Sequence, residues 1–390
     1  MSSSFSSVNV RRRGGFTLIE LLVATAVLLV IMIVLLQLTG GVGEIWKSST
    51  GKISAFQSAR SAFATINRTL ARATLNTYND YVQETGAGVF AYRTAANATT
   101  FSPTKFLRAS ELHFLSGSTA ELVPGADTIK NPGQAVFFQA PMGDTETKGT
   151  SSLSSLNRTL NTTGFFIQYG SPDDALLPAW LRPLFGATKR FRLVQFVEPT
   201  EALKIYTSTA TANYDEDWLV PFGTPAPANA PRARVLAEDI SLLVFRPRLS
   251  PKDEEVVATQ LGATFTDATQ GSILSPNYHY DSRTWEAGYP AGQRVQAATS
   301  PGPRAEVMRN QIPPIMDVAM VAVDRRSLVR FDLSSDTPPA ELQVPSGLFT
   351  DSSRLEEDLA TYGNQLSAAG IRYRVFRTSV EIQGAKWSNN

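Results

Sequence analysis

The chain has 390 residues, 43% of them hydrophobic and 18% charged, a composition that buries a core instead of staying disordered. Its 36 lysines and arginines against 35 aspartates and glutamates leave no global field to draw in nucleic acid. The absence of cysteine removes disulfides, thiolate metal sites and cysteine nucleophiles.

Residues 1–15 read MSSSFSSVNVRRRGG, and a run of 23 residues from Phe16 to Leu38 follows with a single charge, Glu20. At about 1.5 Å per residue, such a helix spans a bilayer core of about 30 Å with some tilt. Arg11, Arg12 and Arg13 precede the run, while Glu44 and Lys47 cancel after it. The positive-inside rule therefore keeps the N-terminus cytoplasmic. A cleaved secretory signal would have a shorter apolar stretch of about 7–15 residues. A twin-arginine signal or a plain signal anchor leaves Glu20 unexplained. A carboxylate within a membrane helix costs about 2.5–3.5 kcal/mol or more, so Glu20 calls for a partner. Cleavage between Gly15 and Phe16 would create one: the new α-amine of one chain meets Glu20 of a staggered neighbour, and the two charges cost less together than apart.

The segment Arg13-Gly14-Gly15-Phe16-Thr17-Leu18-Ile19-Glu20 resembles the class III signal of type IV pilins and type II secretion pseudopilins. The resemblance implies that a prepilin peptidase cuts after Gly15, that the Phe16 amine is N-methylated, and that Glu20 serves assembly with other pilin-like subunits. It also implies a leader over 1–15, a transmembrane helix over 16–38 and a stem helix over 39–80. A β-rich periplasmic domain over 81–390 would follow, held by a single pass through the inner membrane.

After Gly40, Gly41 and Gly43, apolar or small residues recur at Ile53, Phe56, Ala59, Phe63, Ile66, Leu70 and Ala73. That spacing predicts an amphipathic helix with one face to bury, Arg60, Arg68 and Arg72 lying off the seam. The three glycines, each costing about 1 kcal/mol relative to alanine, predict a flexible joint at 39–43. Asn76 and Asn79 suggest the stop.

From about residue 82 the pattern turns to short strand-like runs: 111–116, 135–140, 164–169, 190–197, 235–248, 316–331 and 371–382. Proline-rich 221–232 and turn-rich 287–314 read as loops, and 352–369 as a late helix. One helix followed by many strands gives an α+β fold, the long N-terminal helix packing its amphipathic half on an antiparallel sheet domain. The segments Arg234–Ser250 and Gln311–Val323 resemble J-type minor pseudopilins, and Ser58–Tyr81 resembles protein C of the Verru/Chthon cassettes.

No GxSxG, Walker A, GxGxxG or HExxH motif occurs. Asp215, Glu216 and Asp217 in NYDEDW could hold calcium, as some J-type pseudopilins do, but the run lacks the EF-hand alternation and reads first as a solvated acidic turn. No other cofactor is expected. Asp317 and Asp324 stand too far apart along a strand to form a dyad unaided. Asp351, Glu356, Glu357 and Asp358 read as the wet face of the late helix. His113 reads as a surface or satisfied histidine within a strand. The expected role is a non-enzymatic structural subunit. A membrane-anchored binding protein using the same signal is the alternative, and an anchored enzyme is the least supported.

Overall fold

The computed structural model describes residues 18–86, 89–93, 96–123, 126–145, 158–170, 189–203, 233–253, 274–275, 277–282 and 310–386. The chain divides into two compact units, Met1–Ser54 and Ala55–Asn390. Helix α1 (Leu18–Leu70) contributes to both. Its helical assignment runs without interruption across Gly40, Gly41 and Gly43, where the sequence suggested a joint. Glycine lowers helix propensity without forbidding helical backbone angles, so the three together weaken the helix there without ending it.

In the first unit every residue from Leu18 to Leu36 is exposed, apolar side chains pointing to all sides. No face is reserved for a protein core, the pattern of a helix whose surroundings are apolar all round.

In the second unit, α1 buries Ala59, Ala62, Phe63, Ile66 and Leu70, with Phe56 partly covered, while Arg60 and Arg68 stay outside. The predicted seam is present from Phe56 onward; the Ile53 side chain lies outside the described residues. The helix ends at Leu70, not at residue 80. Backbone bonds from Arg72 N–H to Thr69 O and from Ala73 N–H to Leu70 O tighten the last turn, and Thr74 N–H then donates to Gln139 O. Asn76 takes a left-handed conformation (φ 46°) and turns the chain into a strand the sequence did not suggest.

That strand, β1 (Tyr78–Gly86), lies between β2 (Val89–Tyr92) and β3 (Lys105–Ala109) in a small antiparallel sheet. A larger sheet follows: β4 (Leu115–Ser118), β5 (Gln134–Pro141), β6 (Leu160–Gly170), β7 (Arg190–Glu198) and β8 (Ala233–Glu238), with the short β10 (Tyr280–Asp281) beside β4. The third sheet has β11 (Ile315–Val323) at its centre, flanked by β9 (Ile240–Arg248) and β12 (Tyr373–Glu381). Every pairing among them is antiparallel. Proline fits within β9 because Pro247 sits on an edge strand, where a missing N–H need not break the ladder.

The run predicted as one strand over 235–248 is two. Asp239 has φ 61° and makes a one-residue corner that carries the chain from the large sheet into the third. Its N–H donates to Phe191 O and its carbonyl accepts from Val323 N–H, so each sheet holds one side of the corner. The run over 316–331 ends at Val323 because Asp324 caps helix α3 (Arg325–Leu328), its side chain accepting from Arg326 N–H at 3.1 Å. The late helix is present as α4 (Leu355–Ala368), preceded by a 3-10 turn at Ser352–Arg354.

The principal core joins the α1 seam, the third sheet and one face of the large sheet. Phe63 of α1 meets Phe376 of β12 with ring centroids 5.9 Å apart, so α1 covers that face of the third sheet. α4 covers the other, where a Cβ at Gly363 would stand 2.3 Å from the Tyr373 hydroxyl. A second cluster on the opposite face of the large sheet gathers Phe137, Phe166, Val194 and Phe196 beneath Leu122 of the short helix α2 (Thr119–Leu122).

The large and third sheets meet at Gly133. It has φ +80°, and a Cβ there would stand 2.2 Å from the Leu243 carbonyl oxygen. The adjacent Gln134 accepts from Phe245 N–H at 3.2 Å. Gly133→Ala is therefore expected to cost about 2–4 kcal/mol, from a strained backbone and from overpacking against a main-chain atom that cannot move aside. Urea unfolding of the full chain in detergent measures the loss.

Candidate membrane and processing segment

The stretch Leu18–Leu36 is 19 residues of α1, long and apolar enough to cross a membrane. Its polar Thr25 is satisfied locally, the hydroxyl donating to Leu22 O at 2.9 Å. Such an internal bond spares a hydroxyl the cost of exposure to lipid. Glu20 lies in the first turn of α1 and is exposed. This position supports a carboxylate, because the helix N-terminus carries partial positive charge. Support from the dipole is worth about 0.3–1 kcal/mol, against about 2.5–3.5 kcal/mol for a charge deep in lipid. The helix alone does not offset the cost. Gly15 and Phe16 lie outside the described residues.

Within the described part of the second unit, the acidic and histidine residues singled out in the sequence take structural roles. His113 is neither on the surface nor in a strand. It is 2% exposed, and its Nε2 lies 2.5 Å from Asp281 Oδ1. The pair fastens β10 to the segment preceding β4, and Ser282 reinforces it by accepting from Phe114 N–H at 2.9 Å. His279 is also buried; burial holds its pKa below the usual histidine value, and Asp281 and Glu121 oppose that shift. Ser282 is wholly buried as well.

Asp317 and Asp324 form no dyad. Asp317 binds Arg246, Arg248 and Ser379, while Asp324 caps α3. Asp351 caps the 3-10 turn before α4, and Glu356 and Glu357 pair with Arg377 and Arg354 on the wet side. Asp358 departs from that expectation: it is buried, and it accepts from Phe349 N–H at 2.8 Å. Asn161, which matches a glycosylation sequon, is buried, with its amide bridging Asp144 O and Glu198 O. Among the described residues no three His, Asp or Glu side chains gather to hold a metal ion. Asp215, Glu216 and Asp217 lie outside them, as do residues 221–232 and most of the excursion over 287–314.

Residues 10–36 match the family described as Prokaryotic N-terminal methylation motif. No curated protein and no solved structure matches the chain. The chain thus carries a prepilin-type N-terminal methylation signal, and this signal continues directly into an apolar helix followed by antiparallel sheets. The motif implies processing by a prepilin peptidase and pilin-type assembly.

Proposed function

We propose that this chain is a minor pseudopilin: a non-enzymatic subunit that enters the inner membrane through α1 and loses residues 1–15 to a prepilin peptidase. It then joins other pilin-like subunits through the same helix. The observation that carries the reading is the coincidence, over residues 10–36, of the methylation motif with a helix exposed and apolar on every side. A helix of that kind buries itself in lipid or against like helices. On this reading Phe16 bears the methylated amine and Glu20 is the anion it meets. The folded unit lies on the periplasmic side, because Arg11, Arg12 and Arg13 hold the N-terminus in the cytoplasm. Size favours a minor subunit over a major one, since a unit running from Ala55 to Asn390 would crowd a densely repeated filament. No catalytic or cofactor role is assigned; calcium at Asp215, Glu216 and Asp217 is the one metal this reading leaves open.

Glu20→Ala tests the assembly step. The variant is expected to be cleaved normally and to remain in the membrane, but to enter the sheared or cross-linked assembly about tenfold less, equivalent to about 1.4 kcal/mol. Incorporation at the parental level would remove charge pairing from the mechanism.

One observation favours the alternative of an anchored binding protein. Tyr81 and Phe106 are 53% and 62% exposed, their rings 4.6 Å apart on the small sheet. The chain has no cysteine, so single cysteines placed along α1 separate the two readings cleanly. Disulfides between these positions and a cysteine placed in the same helix of a like-signalled subunit form only if the protein joins an assembly.

A further inference from the structure

The two helices that sandwich the third sheet present surfaces of opposite charge. On α1, Arg60 and Arg68 are exposed, and so is Arg72 just past its end. No acid occurs from Ala55 to Asn79, and none of the three guanidinium groups meets a carboxylate among the described residues. On the other side of the sheet, Glu341, Asp351, Glu356 and Glu357 are exposed on and beside α4. Glu356 pairs with Arg377 and Glu357 with Arg354, which leaves Glu341 and Asp351 without an ion pair among the described residues. Bonds from Ser353 hold the Asp351 carboxyl below the usual carboxylate range, so it stays ionised.

The two outer faces also match in spacing. Gln57, Ser61, Ala64 and Arg68 follow one another along α1 at intervals of four, three and four, and all are exposed. Glu357, Thr361, Asn364 and Ala368 follow along α4 at the same intervals, again all exposed. Rows of this spacing are the stripes along which helices pack. Set antiparallel, they place Arg68 against Glu357, Ala64 against Thr361, Ser61 against Asn364 and Gln57 against Ala368. The middle residues are small, so the axes can approach to about 8 Å, the near end of helix packing. The same register sets Arg72 against Ser353, close to Asp351. It sets Arg60 against Gln365, whose Nε2 donates to Glu341 O at 3.1 Å. Each arginine thereby reaches an acid, and the antiparallel sense opposes the helix dipoles favourably.

We propose that the α1 face carrying Arg60, Arg68 and Arg72 docks antiparallel on the α4 face, with Glu341, Asp351 and Glu357, of a second copy of this chain. Because α1 and α4 cover opposite faces of the third sheet, the contact runs head to tail and leaves one face of each kind free at the ends. It joins folded units and does not depend on the processing reading. Two copies satisfy it, so it does not call for the densely repeated filament that the size of the unit opposes. The Arg354–Glu357 pair is 61% and 70% exposed, and such a pair exchanges partners at little cost.

The experiment mixes two full-length chains in detergent under mild oxidation, one with Ala64→Cys and one with Thr361→Cys as the only cysteine. The mixed disulfide should form several-fold faster than either like pair, and raised salt should slow it, as screening of surface charge requires. Arg60→Glu with Arg68→Glu on the first chain should remove the preference. Glu341→Arg with Glu357→Arg on the second should restore it to that reversed partner. If a reversed chain misfolds, the salt response of the parent pair tests the same point. A chain with both cysteines should give a ladder of oligomers. Equal rates for mixed and like pairs overturn the contact, as does a mixed disulfide indifferent to salt. Predominance of the Ala64→Cys like pair overturns it too, and assigns the α1 face to a symmetric contact between stems. None of these results touches the reading of residues 10–36, which stands or falls on cleavage.

Discussion

Replacing Gly15 with valine is expected to leave the protein at its unprocessed mass, retaining residues 1–15, where the parent chain is shortened to begin at Phe16. A peptidase that binds the chain in extended form at this point has to approach the backbone closely, and glycine alone presents no side chain there. Valine adds a branched side chain next to the bond to be cut. The consequence extends beyond cleavage. Without it, the nitrogen of Phe16 remains a neutral amide and no amine forms to meet Glu20. The helix N-terminus supports the carboxylate by about 0.3–1 kcal/mol, and the pairing that registers one subunit against the next is absent. Gly15→Val is thus expected to lose both processing and assembly, whereas Glu20→Ala loses assembly alone. Intact-mass measurement of the membrane fraction decides the first point. A Gly15→Val chain found to begin at Phe16 would show that the peptidase reads some other feature of residues 10–36. A Glu20→Ala chain that stays uncleaved would show that Glu20 serves recognition and not packing.

Much of this was legible before the structure, and the reasons differ from element to element. The α1 seam was readable because Ala59, Phe63, Ile66 and Leu70 repeat at helical spacing, and all four are buried. β5, β6 and β7 were readable as apolar runs because the large sheet is covered on both faces along them. β1 was not, since most of its residues are exposed and the strand follows a helix stop that the sequence placed too late. The corner at Asp239 was hidden because an aspartate in the left-handed region looks, in sequence, like any polar residue within a strand. The His113–Asp281 pair joins residues 168 apart, a distance no local pattern reports. At the N-terminus the opposite holds: motif, span and charge lie within one continuous stretch, so the family match needed no fold to support it.

Asp317→Asn is expected to remove about 3–5 kcal/mol of stability, a large fraction of the about 5–15 kcal/mol that holds a folded domain together. Register explains the size. Asp317 on β11 stands directly opposite Arg246 on β9 and Ser379 on β12, in one row across the third sheet. Arg246 donates from Nη2 at 2.6 Å and from Nε at 3.0 Å, Ser379 donates its hydroxyl at 2.6 Å, and Arg248 Nε lies 2.8 Å away on the same face. The Asp317, Arg246 and Arg248 side chains are only 11%, 19% and 29% exposed, so water replaces little of what the carboxylate supplies. Asparagine keeps the shape and leaves two guanidinium groups facing each other without their anion. Ser379→Ala, by contrast, removes one hydrogen bond and should cost about 1 kcal/mol. The mechanism has a sharper consequence: adding Arg248→Met to Asp317→Asn should recover part of the loss, because it removes one of the two like charges, whereas Arg248→Met alone should destabilise. Urea unfolding of the four chains closes the cycle. If the two losses simply add, the row is a set of independent hydrogen bonds and repulsion between the arginines has no part in it.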